Sequence, residues 1–387
     1  MKTLKSLRLH IGFFGKTNVG KSSLINKLAN QDVSIVSEVA GTTTDIAEKS
    51  MELLPIGPVT IIDTAGLDDK TILGDKRIEK TLSVINRCDV AVIVCDYKGL
   101  GDVEQNLINK FNQLKIPYLI VMNKCDEQKS DIGENVLYTS ATTDEDFVFK
   151  FKELVLKLLP EDTSPKIIGD LVEAKDTVIL VTPIDKEAPK GRLILPQVQT
   201  IRDLLDNNCL SYVVKESELA DALNNLKTPP ALVVTDSQAF KTVSEIVPQE
   251  IPLTSFSILF ARLKGDLSAF IEGTKAIENL KDGDKVLILE SCTHHAIEDD
   301  IGRVKIPNLI KKKTGKDLII EHFSGHDFPD ISQYALVVHC GACMTNRREI
   351  LSRILIANNL NVPITNYGVV ISYCLGILPR ATQIFTS

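Results

Sequence analysis

Cysteine and histidine, the side chains that bind transition metals most readily, are concentrated in one part of the sequence. The segment 292–343 contains five of the six histidines and three of the eight cysteines. It holds a Cys-Thr-His sequence that begins at Cys292 and a His-Cys-Gly-Ala-Cys sequence that begins at His339. Thiolate sulfur and imidazole nitrogen are the ligands that zinc and iron–sulfur centres use. The spacing therefore predicts a metal site.

Both sequences directly follow apolar runs of the strand type. Cys292 comes after Val-Leu-Ile-Leu-Glu-Ser, and His339 comes after Ala-Leu-Val-Val. Because ligands of α/β proteins bind where the carboxyl ends of parallel strands meet, we expect Cys292, Cys340 and Cys343 to converge at one edge of a sheet. Gly341 lets the backbone approach the sulfur atoms closely. The three thiolates would then hold one metal centre.

A fourth ligand is not fixed by these three cysteines. Zinc would take three cysteines and a histidine as a closed structural site. A 4Fe-4S cluster would instead leave one iron on a non-cysteine or exchangeable ligand. Spacing alone prefers none of the candidates for that position, which are His294, His339, Glu298, Asp299 and Asp300. The remaining histidines of the segment, His295, His322 and His326, are interpreted as surface or core-edge residues.

Composition places the chain among globular proteins with more than one core. It has 387 residues, of which 44% are hydrophobic and 25% are charged, a length that fits two or three domains. The net charge of -7 argues against non-specific binding to nucleic acid or membranes. No apolar run approaches the roughly 20 residues that cross a bilayer, so we expect a cytoplasmic protein. In that reducing compartment we interpret five cysteines as packed thiols: Cys88, Cys95, Cys125, Cys209 and Cys374.

Apolar strand-like runs alternate with helical patterns along the whole chain. This alternation predicts an α/β fold with parallel sheets, and a polar, Pro-containing stretch at 160–165 is typical of a linker. We predict three α/β domains, at residues 1–162, 163–264 and 265–387. We find no internal sequence repeat strong enough to name.

A phosphate-binding loop lies near the start of the chain. Residues 15–22 fit the pattern G-x-x-x-x-G-K-[ST] between an apolar strand and an amphipathic helix. In this motif the backbone N–H groups surround the β-phosphate, Lys21 neutralises the β and γ oxygens, and the Ser22 hydroxyl reaches Mg²⁺. The predicted phosphate contacts are those of Asn18, Val19, Gly20, Lys21, Ser22 and Ser23.

Three further segments complete a nucleotide site in the expected order. Asp63 ends a strand, where it can hold Mg²⁺ through water, and Gly66 offers its N–H to a γ-phosphate. Asn123, Lys124 and Asp126 form the base loop, in which a carboxylate accepts two hydrogen bonds that guanine can donate and adenine cannot. The loop that backs the base is Ser140-Ala141-Thr142. These elements predict GTP binding, with Lys21 and Gly66 as catalytic groups.

Residues 9 to about 160 resemble the Era and TrmE group of GTPases. By that resemblance, Thr43 in the first switch completes the Mg²⁺ shell and is also catalytic. Asn18 matches an asparagine that helps to hold K⁺ in potassium-dependent members, so K⁺ is expected to stimulate hydrolysis. Leu67 stands where Ras-like GTPases place the glutamine that orients water, so hydrolysis is expected to be slow. The water-positioning residue stays open.

The whole chain, with both cysteine motifs behind a GTPase domain, resembles the HydF family of FeFe-hydrogenase maturation GTPases. The resemblance implies a 4Fe-4S cluster on Cys292, Cys340 and Cys343 and a middle domain that dimerises. It further implies a scaffold that receives a diiron precursor made by the radical enzymes HydE and HydG and delivers it to apo FeFe-hydrogenase.

A second interpretation is an Era- or TrmE-like GTPase with a structural zinc domain that acts on RNA. The acidic net charge counts against it. A third is a tRNA-modifying enzyme that uses a cysteine as a nucleophile, which would require a thiol of lowered pKa.

Overall fold

The computed structural model describes residues 8–31, 37–39, 47–64, 66–67, 83–97, 99–125, 135–159, 166–184, 193–290, 301–325, 328–342 and 345–385. The chain divides into two compact units, Met1–Thr163 and Ser164–Ser387.

The first unit is built on a seven-stranded sheet in the order β2-β3-β4-β1-β5-β6-β7. Its strands are β1 Leu9–Phe14, β2 Ser37–Val39, β3 Ala47–Leu53, β4 Gly57–Asp63, β5 Val90–Cys95, β6 Tyr118–Met122 and β7 Val136–Tyr138. Its helices in the described residues include α1 Lys21–Gln31, α2 Asp102–Gln113 and α3 Phe147–Leu158. Strand β1 is central and pairs in parallel with β4 and β5. Both faces of β5 are fully buried, so apolar residues follow one another along it without alternation.

The second unit contains two four-stranded parallel sheets. The first has the order β11-β10-β8-β9, from β8 Thr177–Val181, β9 Leu210–Val214, β10 Leu232–Thr235 and β11 Leu253–Ser255. Its helices are α4 Leu195–Asp206, α5 Leu219–Asn225, α6 Phe240–Ile246 and α7 Phe256–Lys264.

The second sheet has the order β13-β12-β14-β15. Its strands are β12 Lys285–Glu290, β13 Ile319–Ser324, β14 Leu336–His339 and β15 Ile364–Asn366. The associated helices are α8 Leu267–Thr274, α9 Ile306–Thr314, α10 Arg347–Asn359, α11 Tyr367–Cys374 and α12 Leu378–Thr382.

These two sheets repeat one topology. When the strands of each sheet are numbered by their order in the chain, they lie across the sheet in the order fourth, third, first and second. All pairs in both sheets are parallel. The helix after each first strand has proline in its first turn, Pro196 in α4 and Pro307 in α9. The third strands share Ala-Leu-Val-Val, at 231–234 and 335–338. The second unit is therefore an internal structural repeat, which the sequence analysis missed.

The fourth strands of the repeats also match, and the repeats contact each other through equivalent elements. Pro-Leu-Thr-Ser-Phe-Ser at 252–257 corresponds to Pro-Ile-Thr-Asn-Tyr-Gly at 363–368. The side chains of Ser255 and Asn366 each cap the following helix. Helices α7 and α11 pack together, with Gly368 directly against Ser257. A shared hydrophobic core runs through both repeats.

The predicted α/β class with parallel sheets is confirmed. The antiparallel strands β2 and β3 were not predicted, although Met51 and Leu53 alternate inward on β3. The division into three domains stays a prediction.

Candidate functional site

Backbone conformation and close contacts to the backbone determine the shape of the loop between β1 and α1. Asn18 and Gly20 have positive φ angles of 61° and 98°. A Cβ at Gly20 would collide with the side-chain amide of Asn123, so only glycine fits this position. The Nζ of Lys21 donates to the carbonyl oxygens of Gly15 at 3.0 Å and Lys16 at 2.8 Å. These contacts hold the ammonium group inside the loop, where a phosphate would meet it.

Two of the three predicted Mg²⁺ residues, Ser22 and Asp63, lie in contact. The Ser22 hydroxyl donates to Asp63 Oδ2 at 2.7 Å. Burial raises the pKa of Asp63 above its ordinary value, while the hydrogen bond from Ser22 and the charge of Lys21 oppose that rise. A bound cation would oppose it further, because it favours the ionised carboxylate.

The loop after β4 lies against the phosphate loop. The Thr64 hydroxyl donates to the Phe13 carbonyl oxygen at 2.6 Å, and the backbone N–H of Leu67 donates to the Gly15 carbonyl oxygen at 3.4 Å. A Cβ at Gly66 would collide with Thr17. Glycine at this position therefore lets the backbone of one loop reach the other.

Asn123 joins three parts of the site. Its Nδ2 donates to the Val19 carbonyl oxygen at 2.8 Å, and its Oδ1 accepts from the backbone N–H of Ala141 at 2.9 Å. The Nζ of Lys124 donates to the Asn18 carbonyl oxygen at 2.7 Å. Lys27, which sequence reasoning missed, reaches from α1 to the Ala141 carbonyl oxygen at 3.3 Å.

The structure thus brings the phosphate loop, Asp63, Gly66 and the Asn-Lys pair together at one edge of the sheet. Ser140 lies beside them, with its hydroxyl 3.0 Å from that of Thr142. Val19 and Lys21 are buried, whereas Ser23 is exposed on the first turn of α1. Thr43 and Asp126 lie outside the described residues.

The predicted metal site lies at the sheet edge formed by the carboxyl ends of β12 and β14, called the metal edge below. These strands pair in parallel, with Leu289 opposite His339, and the backbone N–H of Cys340 donates to the Leu289 carbonyl oxygen at 2.8 Å. Cys340 therefore lies beside Glu290, the last residue of β12. Six other predicted metal-site residues lie outside the described residues: Cys292, His294, Glu298, Asp299, Asp300 and Cys343. Within the described residues no group of three or more His, Cys, Asp or Glu side chains could hold a metal ion.

His339, a predicted candidate for the fourth ligand position, is engaged in other contacts, and its role as a ligand stays a prediction. Its side chain is buried, with 1% of its surface exposed. Nδ1 lies 2.9 Å from the Cys340 carbonyl oxygen, and Nε2 lies 2.6 Å from Nη1 of Arg353. Burial and the charge of Arg353 lower the pKa of His339 to about 3. Both ring nitrogens are thus engaged within the protein.

Three of the five cysteines interpreted as packed thiols, Cys88, Cys95 and Cys209, are buried, and Cys125 and Cys374 are partly buried. Burial raises the pKa of Cys95 to about 12 and that of Cys374 to about 11. These two are protonated thiols at neutral pH, and neither is suited to nucleophilic chemistry. His322 is exposed on the edge strand β13.

The strand, phosphate loop and helix, with an Asn-Lys base loop at the same sheet edge, define a P-loop GTPase domain. Residues 10–124 match the family model described as 50S ribosome-binding GTPase. Residues 167–265 match the hydrogen maturase F dimerization domain, and residues 268–384 match the hydrogen maturase F tetramerization domain. The chain therefore belongs to the hydrogen maturase F family, HydF.

Curated relatives match the GTPase portion. The tRNA modification GTPase MnmE of Mesoplasma florum is 34% identical over 176 residues, which cover 43% of this chain and 36% of the relative. GTPase Der of Campylobacter hominis is 30% identical over 159 residues, covering 39% of this chain and 34% of the relative. The chain thus spans only a minor part of the length of these relatives.

Two solved structures are similar at low identity. Aquifex aeolicus Era has a TM-score of 0.33 and 18% identity, with 53% of this chain and 92% of that chain covered. The G domain of T. maritima FeoB has a TM-score of 0.30 and 22% identity, with 39% and 98% covered. Separately, none of the helices in the described ranges has the length and apolar character needed to cross a membrane.

Proposed function

We propose that the protein is a GTP-hydrolysing scaffold that carries iron–sulfur cargo during maturation of FeFe-hydrogenase. The observation that carries this proposal is the joint presence of two hydrogen maturase F domains and a GTPase domain in one chain. The cysteine at the carboxyl edge of the last sheet supports it. The likeness to MnmE, a tRNA modification GTPase, covers only 43% of the chain, so action on RNA has no support from the second unit.

In this proposal the first unit binds GTP with Mg²⁺. Lys21 and the loop N–H groups stabilise charge on the phosphates, and Ser22, Asp63 and Thr43 hold the cation. Asn18 would help to hold K⁺, and its carbonyl oxygen already accepts a hydrogen bond from Lys124 at this edge. Leu67 supplies no group that could orient water, so unassisted turnover is slow.

Asp126 is the proposed source of guanine selectivity. Asparagine at 126 would present an N–H donor to the 2-amino group of guanine but would suit the 2-oxo group of xanthine. We expect Asp126→Asn to weaken GTP binding by about tenfold to 100-fold, the worth of one or two lost hydrogen bonds to a charged group. Competition titrations with GTP and XTP should show the opposite change for XTP.

Asp102→Asn, an exposed carboxylate on the first turn of α2, is the matched control and should leave both affinities unchanged. If Asp126→Asn binds GTP as tightly as the unmodified chain, our assignment of the base loop is wrong.

The second unit is proposed to hold a 4Fe-4S cluster on Cys292, Cys340 and Cys343. The described part of the donor set fits a soft metal centre, because Cys340 is partly exposed at a strand end. Cys292 is two residues beyond Glu290, and Cys343 is three beyond Cys340, so short connections permit three thiolates at this edge. The cluster would supply an iron with an exchangeable position.

An open iron position suits a carrier, because a diiron precursor needs a place to attach. The fourth ligand is then His294, Glu298, Asp299 or Asp300, since both ring nitrogens of His339 are engaged. The proposed partners are HydE and HydG as donors and apo FeFe-hydrogenase as acceptor. GTP turnover would regulate the exchange of these partners.

The dimerization match is accompanied by an exposed apolar edge on the first sheet of the second unit. Strand β9 ends the sheet on one side. Leu210, Tyr212 and Val213 on it are 57%, 43% and 43% exposed. Unpaired, apolar strand edges associate with other chains when nothing covers them. We infer that β9 of one protomer meets β9 of its partner.

Leu210→Glu with Tyr212→Glu should then shift the protein to a smaller species in analytical ultracentrifugation. Two charges buried at a paired edge would weaken association by at least about 100-fold, at roughly 1.4 kcal/mol for each tenfold. Phe149→Glu, which places a charge at an equally apolar and 71% exposed position on α3, is the control. An unchanged assembly in the double variant would place the interface elsewhere.

A further inference from the structure

A buried ion pair lies directly behind the strand end that carries Cys340. Arg353 of α10 is the largest fully buried side chain among the described residues. Its Nη2 donates to Glu349 Oε1 at 2.7 Å and to the Gly325 carbonyl oxygen at 3.3 Å. Its guanidinium lies 5.6 Å from the centre of the Phe328 ring. Removing two charges from water is costly, so this pair needs a reason beyond stability.

The pair fixes the protonation of His339. Because a guanidinium can only donate, Nε2 of His339 must accept from Arg353 Nη1 at 2.6 Å. The ring proton is then on Nδ1, which donates to the Cys340 carbonyl oxygen at 2.9 Å. Glu349, Arg353 and His339 thus form a continuous chain of hydrogen bonds that ends on the backbone of Cys340.

Hydrogen bonds also fix the backbone of the residues that follow Cys340. Ala342 has a positive φ of 55°, which a non-glycine residue adopts only when its surroundings require it. Its carbonyl oxygen accepts from both the backbone N–H and the hydroxyl of Thr345, each at 3.3 Å. The Nζ of Lys264, a buried residue of the other repeat, donates to the Thr345 carbonyl oxygen at 3.3 Å.

The sister repeat provides an internal comparison. At the matching strand end it has Thr235 in place of His339 and Asp236 in place of Cys340. Its following helix, α6, carries only exposed charges, Lys241 and Glu245. The same topology is therefore built without a buried Arg–Glu–His chain, and the chain occurs in the repeat that carries the cysteines.

We propose that Glu349, Arg353 and His339 are positioning residues that hold the Cys340–Ala342 backbone in the geometry that the cluster requires, with His339 outside the ligand set. This inference rests on the proposed function. Groups that orient ligands in this way commonly change metal retention by tenfold to 100-fold when they are removed.

The test compares variants of the full chain after anaerobic reconstitution with iron and sulfide. His339→Asn keeps a side-chain N–H near the position of Nδ1. This variant should lose iron to a chelator at a rate within about twofold of that of the unmodified chain. His339→Ala should lose iron about tenfold faster or more, and so should Glu349→Leu combined with Arg353→Met, which leaves no buried charge unpaired. Pulsed electron paramagnetic resonance should show the same nitrogen couplings in the unmodified chain and in His339→Asn.

Val233→Ala is the control for general destabilisation, because it opens a cavity at the strand position of the sister repeat that matches Val337. It should lower the melting temperature without faster iron loss. Loss of an imidazole nitrogen coupling in His339→Asn would make His339 a ligand and overturn the inference. The inference would also be overturned if the variant that combines Glu349→Leu with Arg353→Met lost iron no faster than the unmodified chain. If the unmodified chain takes up no cluster, the proposed function fails, and this inference fails with it.

Discussion

Replacing Lys21 with alanine is expected to weaken GTP binding by at least about 100-fold, or roughly 2.7 kcal/mol. The ammonium group is buried in the loop, with 8% of the residue exposed, and is held by the carbonyl oxygens of Gly15 and Lys16. A charge placed in this way interacts with phosphate oxygens at short range and low dielectric. Titration of a fluorescent GTP analogue would measure the loss.

The same variant tests whether the nucleotide site and the metal edge are energetically independent. Lys21→Ala should retain the full iron content after reconstitution, if the two units are energetically separate. Lys115→Ala, an exposed lysine beyond the end of α2, is the control and should bind GTP normally. Loss of both GTP and iron in a correctly folded Lys21→Ala protein would show tight coupling between the units.

Replacing Cys340 with serine is expected to remove most of the bound cluster while GTP hydrolysis stays within about twofold of the unmodified rate. Serine keeps the approximate size and the backbone contacts of the residue, including its N–H bond to Leu289, but a neutral hydroxyl is a much weaker iron ligand than a thiolate. Iron and sulfide analysis after reconstitution, beside a phosphate-release assay, would measure both effects.

Cys374→Ser is the matched control in the same repeat. Burial raises the pKa of Cys374 to about 11, so this thiol is not a thiolate at neutral pH and should contribute nothing to metal binding. A Cys340→Ser protein that keeps its full iron content would exclude the proposed ligand set.

Hydrophobic runs predicted much of the fold because the central strands of the sheets are parallel and buried on both faces. The run at 90–95 forms a strand whose six residues are all buried, and the apolar residues of α3, Phe147–Leu158, recur at helical spacing. The phosphate loop was also predictable, since its mechanism fixes both the residue types and their spacing.

Other features leave little trace in the sequence. Glu349 and Arg353 are four residues apart on a helix, a spacing typical of an exposed ion pair, and only the packing around α10 shows that they are buried. The internal repeat was missed because the matches are confined to a few strand ends and helix starts. The stretch between the third-strand and fourth-strand motifs also differs in length, with α6 spanning seven residues and α10 thirteen.

We propose that this member of the hydrogen maturase F family carries a cluster with an exchangeable iron on Cys292, Cys340 and Cys343. Anaerobic reconstitution of the unmodified chain with iron and sulfide, followed by reduction and electron paramagnetic resonance, tests it most directly. We expect the signal of a reduced 4Fe-4S cluster, and we expect it to shift when a small exogenous iron ligand is added. A protein that shows no such signal and instead holds one equivalent of zinc would contradict it.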